Sequence, residues 1–327
     1  MRHYGVDLSD IQTAQTRIAD VISATPMVPS PSLTRCAGHP VSIKFECKQK
    51  TGSFKLRGAT NAVRALSDAE RAGGVVGVST GNHGRGLAYA ARSAGAHCIV
   101  CMSELVPENK VRGIEAEGAE VRTVGRSQDE AEVEAKRLIA DEGMTYLPPF
   151  DHPDVIAGQG TLGLEILEQA PEAATIVCPL SGGGLISGVA LAAKAWRPDI
   201  RIVGVSMARG AAMHASQEAG RPIEVEELPT LADSLGGGIG LDNAYTFAIV
   251  RDLVDEIVLL SEEEIAVAIR HTYREEREII EGSGSVAIGA VLAEKISLEG
   301  PTVLLVTGRN IDMALHHRIC GGETPAI

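Results

Sequence analysis

The feature that most limits this chain is a succession repeated along it: a short apolar run, a glycine turn, then apolar residues at helical spacing. "TIVCPL" leads into "SGGG" and "LISGVALAAKAW", and "VVGVS" leads into "TGN" and "HGRGLAYAARSA". Apolar runs of that length, bounded by glycine, read as strands buried on both faces, and the helix after each serves as a crossover, so such units build parallel sheets. From Gly74 to Tyr146 the alternation continues through "HCIVCMS", "ENKVRGIEAE", "EVRTV" and "SQDEAEVEAKRLIADE" as one compact βα unit. A second series starts near Thr175, passes "RIVGVSM", a loop-rich stretch to Gly240 and a helical region to about Ile280, and closes on the strand "TVLLVTG". The class is therefore α/β, with two parallel-sheet lobes and a cleft between them. The expected division is a large lobe from residues 1–72 and 151–320, a small lobe from 73–150, and a frayed tail over 321–327.

Ahead of these units, Leu8, Ile11, Ala14, Ile18 and Ile22 recur at helical spacing until Thr25-Pro26 stops the helix, and "VSIKFEC" alternates as a strand. The next stretch, "KQKTGSFKLRG", packs four cations around a glycine turn. With Ser53 as N-cap, Leu56, Ala59, Ala62, Val63 and Leu66 share one helix face, which puts Lys55 in the first turn at the positive end of the helix dipole. A helix start and burial both push an ammonium toward its neutral, nucleophilic form. Lys48 and Lys50 read as surface charges, and Arg57 as a solvated residue or one behind a site.

Three glycine turns could hold ligands. At Gly182, Gly183 and Gly184 backbone N–H groups converge ahead of a helix, an arrangement suited to phosphate. A dinucleotide fold is disfavoured because "RIVGVSM" ends without the acidic residue that binds a ribose, a Walker A loop fails for want of G-K-[ST], and a tight turn with no ligand stays open. Ser79, Thr80, Asn82 and His83 surround a second helix start that could take a carboxylate, although taken alone Asn82 is more often a cap and His83 a surface residue. Thr307, Gly308, Arg309 and Asn310 follow an apolar strand, at the end where open α/β sheets collect ligands.

Other classes fall away. With 43 acidic against 30 basic residues the net charge is −13, and no basic patch offers a nucleic-acid or anionic-membrane surface. No signal peptide or membrane span is legible, so a cytoplasmic protein is expected. Cys98 and Cys101 form a C-x-x-C inside an apolar run with no second Cys/His pair, which reads as buried thiols in a strand.

Taken together, "TGSFKLRGA", "STGNHG", "SGGGLISG" and "VTGRN" resemble the fold-type II pyridoxal-phosphate enzymes, the threonine/serine dehydratase and serine racemase family, from about Asp7 to Ile319. The resemblance implies a tryptophan synthase β-like fold, two parallel-sheet three-layer lobes with pyridoxal 5'-phosphate in the cleft. It implies that Lys55 carries the cofactor as a Schiff base and moves the Cα proton, that Phe54 packs beside the ring, and that Asn82 bonds the ring's 3-hydroxyl. Ser181, Gly182, Gly183, Gly184 and Leu185 match the phosphate loop, and Thr307 the hydroxyl facing the pyridine nitrogen. Ser79, Asn82 and His83 match the loop that holds the substrate carboxylate, where Thr80 falls on the serine with which racemases protonate the opposite face. Arg309 replaces a small residue and is expected either to recognise a polar group on the substrate or to be a solvated strand-end charge. No metal is expected, because Ser206, Gly210 and Ala212 stand where relatives carry cation ligands. Within the family, "ADSLGGGIGLDN" and "TGRNIDMALHHRI" look closest to bacterial hydroxyectoine-utilisation dehydratases. The implied activity is loss of water from a β-hydroxy α-amino acid to give a 2-oxo acid and ammonia, by a homodimer. Serine or other amino-acid racemisation and 3-hydroxyaspartate ammonia-lyase activity are the alternatives.

Overall fold

Apolar runs become strands and the helical patterns behind them cross back over the sheets in the computed structural model, which describes residues 4–79, 81–106 and 108–325, with 128 and 129 described by backbone alone. In chain order the strands are β1 (Met27–Pro29), β2 (Val41–Phe45), β3 (Val75–Val78), β4 (Cys98–Met102), β5 (Glu120–Thr123), β6 (Thr145–Tyr146), β7 (Thr175–Pro179), β8 (Arg201–Met207), β9 (Glu256–Leu260) and β10 (Thr302–Val306). They form a six-stranded sheet in the order β1-β2-β10-β7-β8-β9 and a four-stranded sheet in the order β5-β4-β3-β6. Pairing is parallel throughout except between β1 and β2. The central strands β7 and β10 are buried at every residue, as a sheet covered by helices on both faces requires. All four strands of the smaller sheet lie between residues 75 and 146.

The helices are α1 (Leu8–Ile18), α2 (Pro31–Ala37), α3 (Lys55–Ala65), α4 (Asp68–Gly73), α5 (Asn82–Ser93), α6 (Glu108–Glu115), α7 (Gln128–Glu142), α8 (Pro153–Gln169), α9 (Gly184–Trp196), α10 (Ala212–Ala219), α11 (Thr246–Leu253), α12 (Glu262–His271), α13 (Gly282–Leu292) and α14 (Met313–Cys320). The first ends at Ile18, short of the Thr25-Pro26 stop expected from the sequence, and begins on a reciprocal cap between Asp7 and Asp10. Three of them form a tight layer behind the sheets. A Cβ on Gly158 of α8 would stand 2.7 Å from Gly58 Cα of α3, and one on Gly188 of α9 would stand 2.4 Å from Gly160 N of α8. These glycines let backbones touch, so Gly188→Val is expected to destabilise the protein by about 3 kcal/mol or to prevent folding, measured by urea denaturation.

Several elements depart from the sequence expectation. Ser53 does not cap α3: Phe54 occupies the cap position without a side-chain bond, and Ser53 instead bridges Gly308 beyond β10. The stretch expected to be helical up to Ile280 contains β9, and α12 gives way over Thr272–Glu276 to a π-turn that ends on Arg277 with φ 62°. Of the tail expected to fray, residues 321–324 are exposed, while Arg270 donates to the Glu323 carbonyl at 2.9 Å and Pro325 is buried.

Candidate active site

A cavity of about 330 Å³ opens where strand ends and helix starts of both sheets converge. Lys55 reaches it from the first position of α3. Its Nζ donates to the Pro149 carbonyl at 2.8 Å and lies 5.4 Å from the centroid of the Phe54 ring. Burial pulls the ammonium down to about 8, leaving a sizeable neutral fraction near physiological pH. The start of α3 is strapped to the end of β10, because Phe54 N donates to the Thr307 carbonyl at 3.0 Å next to the Ser53–Gly308 bridge. Lys55 and Thr307 are thereby brought to the same wall.

The glycine turn after β7 forms the facing wall. Gly183 adopts φ 89° and caps α9, whose first-turn amides have no acceptor within the helix. The turn must be side-chain free, since a Cβ on Gly182 would meet the Phe150 ring at 2.4 Å and one on Gly184 the Phe150 Cα at 2.9 Å. Ser181, Gly182, Gly183, Gly184 and Leu185 all line the cavity. Ser283, at the start of α13, also lines it, and its buried hydroxyl has no partner. That residue carried no signal in the sequence beyond its place in an apolar, glycine-rich helix.

At the start of α5 the residues divide by role. Ser79 Oγ accepts from Gly84 N at 3.0 Å and Gly81 N at 3.3 Å, so it caps the helix while still lining the cavity. Asn82 is buried, with its amide bonded to Glu281 and Asn310. His83, far from being a surface residue, is buried with Nε2 bonded to the Leu147 carbonyl at 3.0 Å. Burial first, then the charge of Lys55, hold it down to about 3, so the ring is neutral and donates. Thr80 lies outside the described residues.

Arg309 is corrected: it is exposed and does not line the cavity, its backbone N instead bonding the Gly52 carbonyl at 3.0 Å. Arg309 lies past the end of β10, just beyond the bridge between Gly308 and Ser53. Two further features went unread in the sequence. Glu281, just ahead of α13, is a buried acid in the cavity wall, and Lys110 on α6 pairs with Asp233 at 2.6 Å at the cavity's solvent-facing end. Both unite residues far apart in sequence, which no local pattern announces.

Residues 18–308 match the model of the pyridoxal-phosphate dependent enzyme family. The chain belongs to that family. A Sinorhizobium fredii protein with a provisional threonine dehydratase name is 55% identical over 98% of this chain and 97% of its own length. The L-threonine ammonia-lyase of Thermotoga maritima is 40% identical, covering 96% of this chain and 78% of its own. Among solved structures, maize serine racemase superposes with a TM-score of 0.92 at 34% identity, over 96% of this chain and 97% of that one. A bacterial threonine deaminase superposes with a TM-score of 0.87 at 37% identity, over 94% of this chain and 99% of that one. The fold is that of the fold-type II pyridoxal-phosphate enzymes.

The cavity suits the family's cofactor on its own chemistry. It offers an amine of depressed basicity, a glycine cradle at a helix start for a phosphate dianion, and the hydroxyls of Ser181, Ser283 and Thr307 with no carboxylate in the cradle. Among the described residues no His, Cys, Asp or Glu group of three or more gathers as for a metal ion, and Cys98 and Cys101 are buried in β4 with thiols pushed up to about 12 and about 11.

Proposed function

We propose that this chain is a pyridoxal-phosphate-dependent carbon–oxygen lyase that removes water from a β-hydroxy α-amino acid. The observation that carries this is Lys55: an amine with its basicity lowered to about 8 at a helix start, facing a hydroxyl-lined glycine cradle in one cavity. Bound pyridoxal phosphate supplies an electron sink for the pair left at Cα. Lys55 would hold the cofactor and, once released, take the Cα proton as a neutral base. The turn from Ser181 to Leu185 would hold the phosphate, Phe54 would pack beside the ring, Thr307 would face the pyridine nitrogen with a hydroxyl, and Asn82 would bond the 3-hydroxyl. The α5 start, with Ser79, Asn82 and neutral His83, would take the substrate carboxylate. Loss of H from Cα and OH from Cβ amounts to one water, and hydrolysis of the released enamine consumes one to give the 2-oxo acid and ammonia.

The names of the relatives support this reading, and those of serine racemases support racemisation at the same site as the second. The polar end of the cavity, with Ser234 beside the Lys110–Asp233 pair, favours a side chain longer and more polar than that of threonine. The ring-opened, N-acetylated β-hydroxy amino acid derived from hydroxyectoine is a candidate of that kind. The two sheets support the division into lobes of residues 1–72 with 151–320 and 73–150, and the reading of the chain as a cytoplasmic homodimer rests on the sequence and its family resemblance alone. No helix among the described residues is long and apolar enough to cross a membrane.

The test is a panel of threonine, serine, 3-hydroxyaspartate and the ring-opened compound, scored for ammonia and 2-oxo acid and, in deuterated water, for Cα exchange. Ammonia and oxo acid in equal amounts are expected from at least one. Exchange without ammonia across the panel would replace the lyase reading with racemisation.

A further inference from the structure

Asn82, Glu281 and Asn310 belong to three separate segments, yet their polar atoms close a ring. Asn82 Nδ2 donates to Glu281 Oε1 at 2.6 Å, and Asn82 Oδ1 accepts from Asn310 Nδ2 at 2.6 Å. The other Glu281 oxygen accepts from Asn310 N at 2.8 Å, and Asn310 Nδ2 also donates to the Thr51 carbonyl at 3.0 Å. Room for the ring is made by two absent side chains. A Cβ on Gly308 would stand 2.2 Å from Glu281 Oε1, and one on Gly52, where φ is 78°, 2.6 Å from Asn310 Oδ1.

We propose that Glu281 and Asn310 are positioning residues that lock the Asn82 amide in one orientation, so that it presents the cavity with an N–H donor for an anionic oxygen of the cofactor. Turning the amide over would set its oxygen against the carboxylate and its Nδ2 against that of Asn310, two like-with-like contacts in a dry site. In the observed orientation Oδ1 is engaged and one Nδ2 hydrogen is spent on Glu281, which leaves the second hydrogen as the amide's free donor. A carboxylate is needed at position 281 because both its oxygens accept; a Gln there would face one of the two donors with its own NH2. Burial and the charge of Asp233 push Glu281 up to about 7, against the pull of its two donors and of Lys110, so both oxygens accept fully only above about pH 7 and protonation below that loosens the ring.

The proposal rests on the cofactor reading of the cavity and not on the substrate, and titration of wild-type apoenzyme with pyridoxal phosphate, followed by absorbance, tests that reading first. E281Q and N310A are each expected to weaken cofactor binding about tenfold and to shift the visible band. In an N82A background E281Q should add less than about twofold, because its effect passes through the amide. Wild-type affinity in E281Q or N310A, or full additivity with N82A, would overturn the lock. Melting temperatures of the apo variants show which are folded, and N310A, which spares the backbone N–H bond to Glu281, stands in should E281Q fail to fold.

Discussion

Lys55→Ala should leave a folded protein whose ammonia release falls by roughly 10³-fold or more, because the proposed function makes this one residue both the cofactor's attachment and the base at Cα. Cofactor titration and borohydride reduction separate the two losses: the variant should still bind pyridoxal phosphate through the cradle but gain no label on reduction. The same residue leaves a signature in the apoenzyme. Its basicity is lowered from 10.5 to about 8, so between those values the unfolded chain binds a proton that the folded one does not. Stability conferred at this position must then rise with pH from about 8 to 10.5, the cost of burying the ammonium being felt below that window. Thermal melts of apo wild type and K55A across that range check the sign: the variant should lose the rise. A difference that instead shrank with pH would show that Lys55 keeps its charge in the fold.

Glu46→Ala is expected to cost about 3–5 kcal/mol of stability, measured by urea denaturation. Glu46 is fully buried and accepts from Arg57 Nε and Nη2, each at 2.8 Å, and from Thr25 Oγ1 at 2.6 Å. Arg57 reaches Glu165 at 2.6 Å as well, and buried Lys44 pairs with that same carboxylate while donating to the Thr25 carbonyl at 2.6 Å and Gln169 at 2.9 Å. Two cations and two anions balance there with almost no water. Without Glu46, Arg57 and Lys44 share one carboxylate, and the uncompensated charge sets the penalty. The joint replacement E46L with R57M, which leaves Lys44 and Glu165 paired, should cost less than E46A alone. Arg57 lies two residues after Lys55 on the same helix, so E46A is also expected to lower kcat beyond its effect on folding.

Much of the cavity's lining was legible in the sequence, because it is built from turns. Lys55, the glycine cradle and Thr307 sit at junctions where one local pattern gives way to another, and such junctions can be read from neighbouring residues alone. Glu281 was invisible for the opposite reason: it precedes α13, a helix apolar on all faces, and its partners come from residues 82 and 310. The helix α8 was missed because Gly158, Gly160 and Gly163 argue against helix until their crossing partners are known. Arg57 stayed open between solvent and a place behind the site because a cation in sequence carries no sign of the two carboxylates that bury it. Arg309 was open between a substrate contact and a solvated charge, and it lies in solvent past the end of β10.

The glycine crossings have a consequence for how this enzyme can change. The helix that bears Lys55 leans on α8 through Gly58 and Gly158, and α8 leans on α9 through Gly160 and Gly188, while α9 itself begins at the anion cradle. The span from Lys55 to the glycine turn is thus a ruler made of three backbones in contact, with no rotamer along it to relax. Side chains at the cavity's open end can be exchanged freely without altering that length, so substrate preference can drift across descendants of this chain while the cofactor keeps its seat.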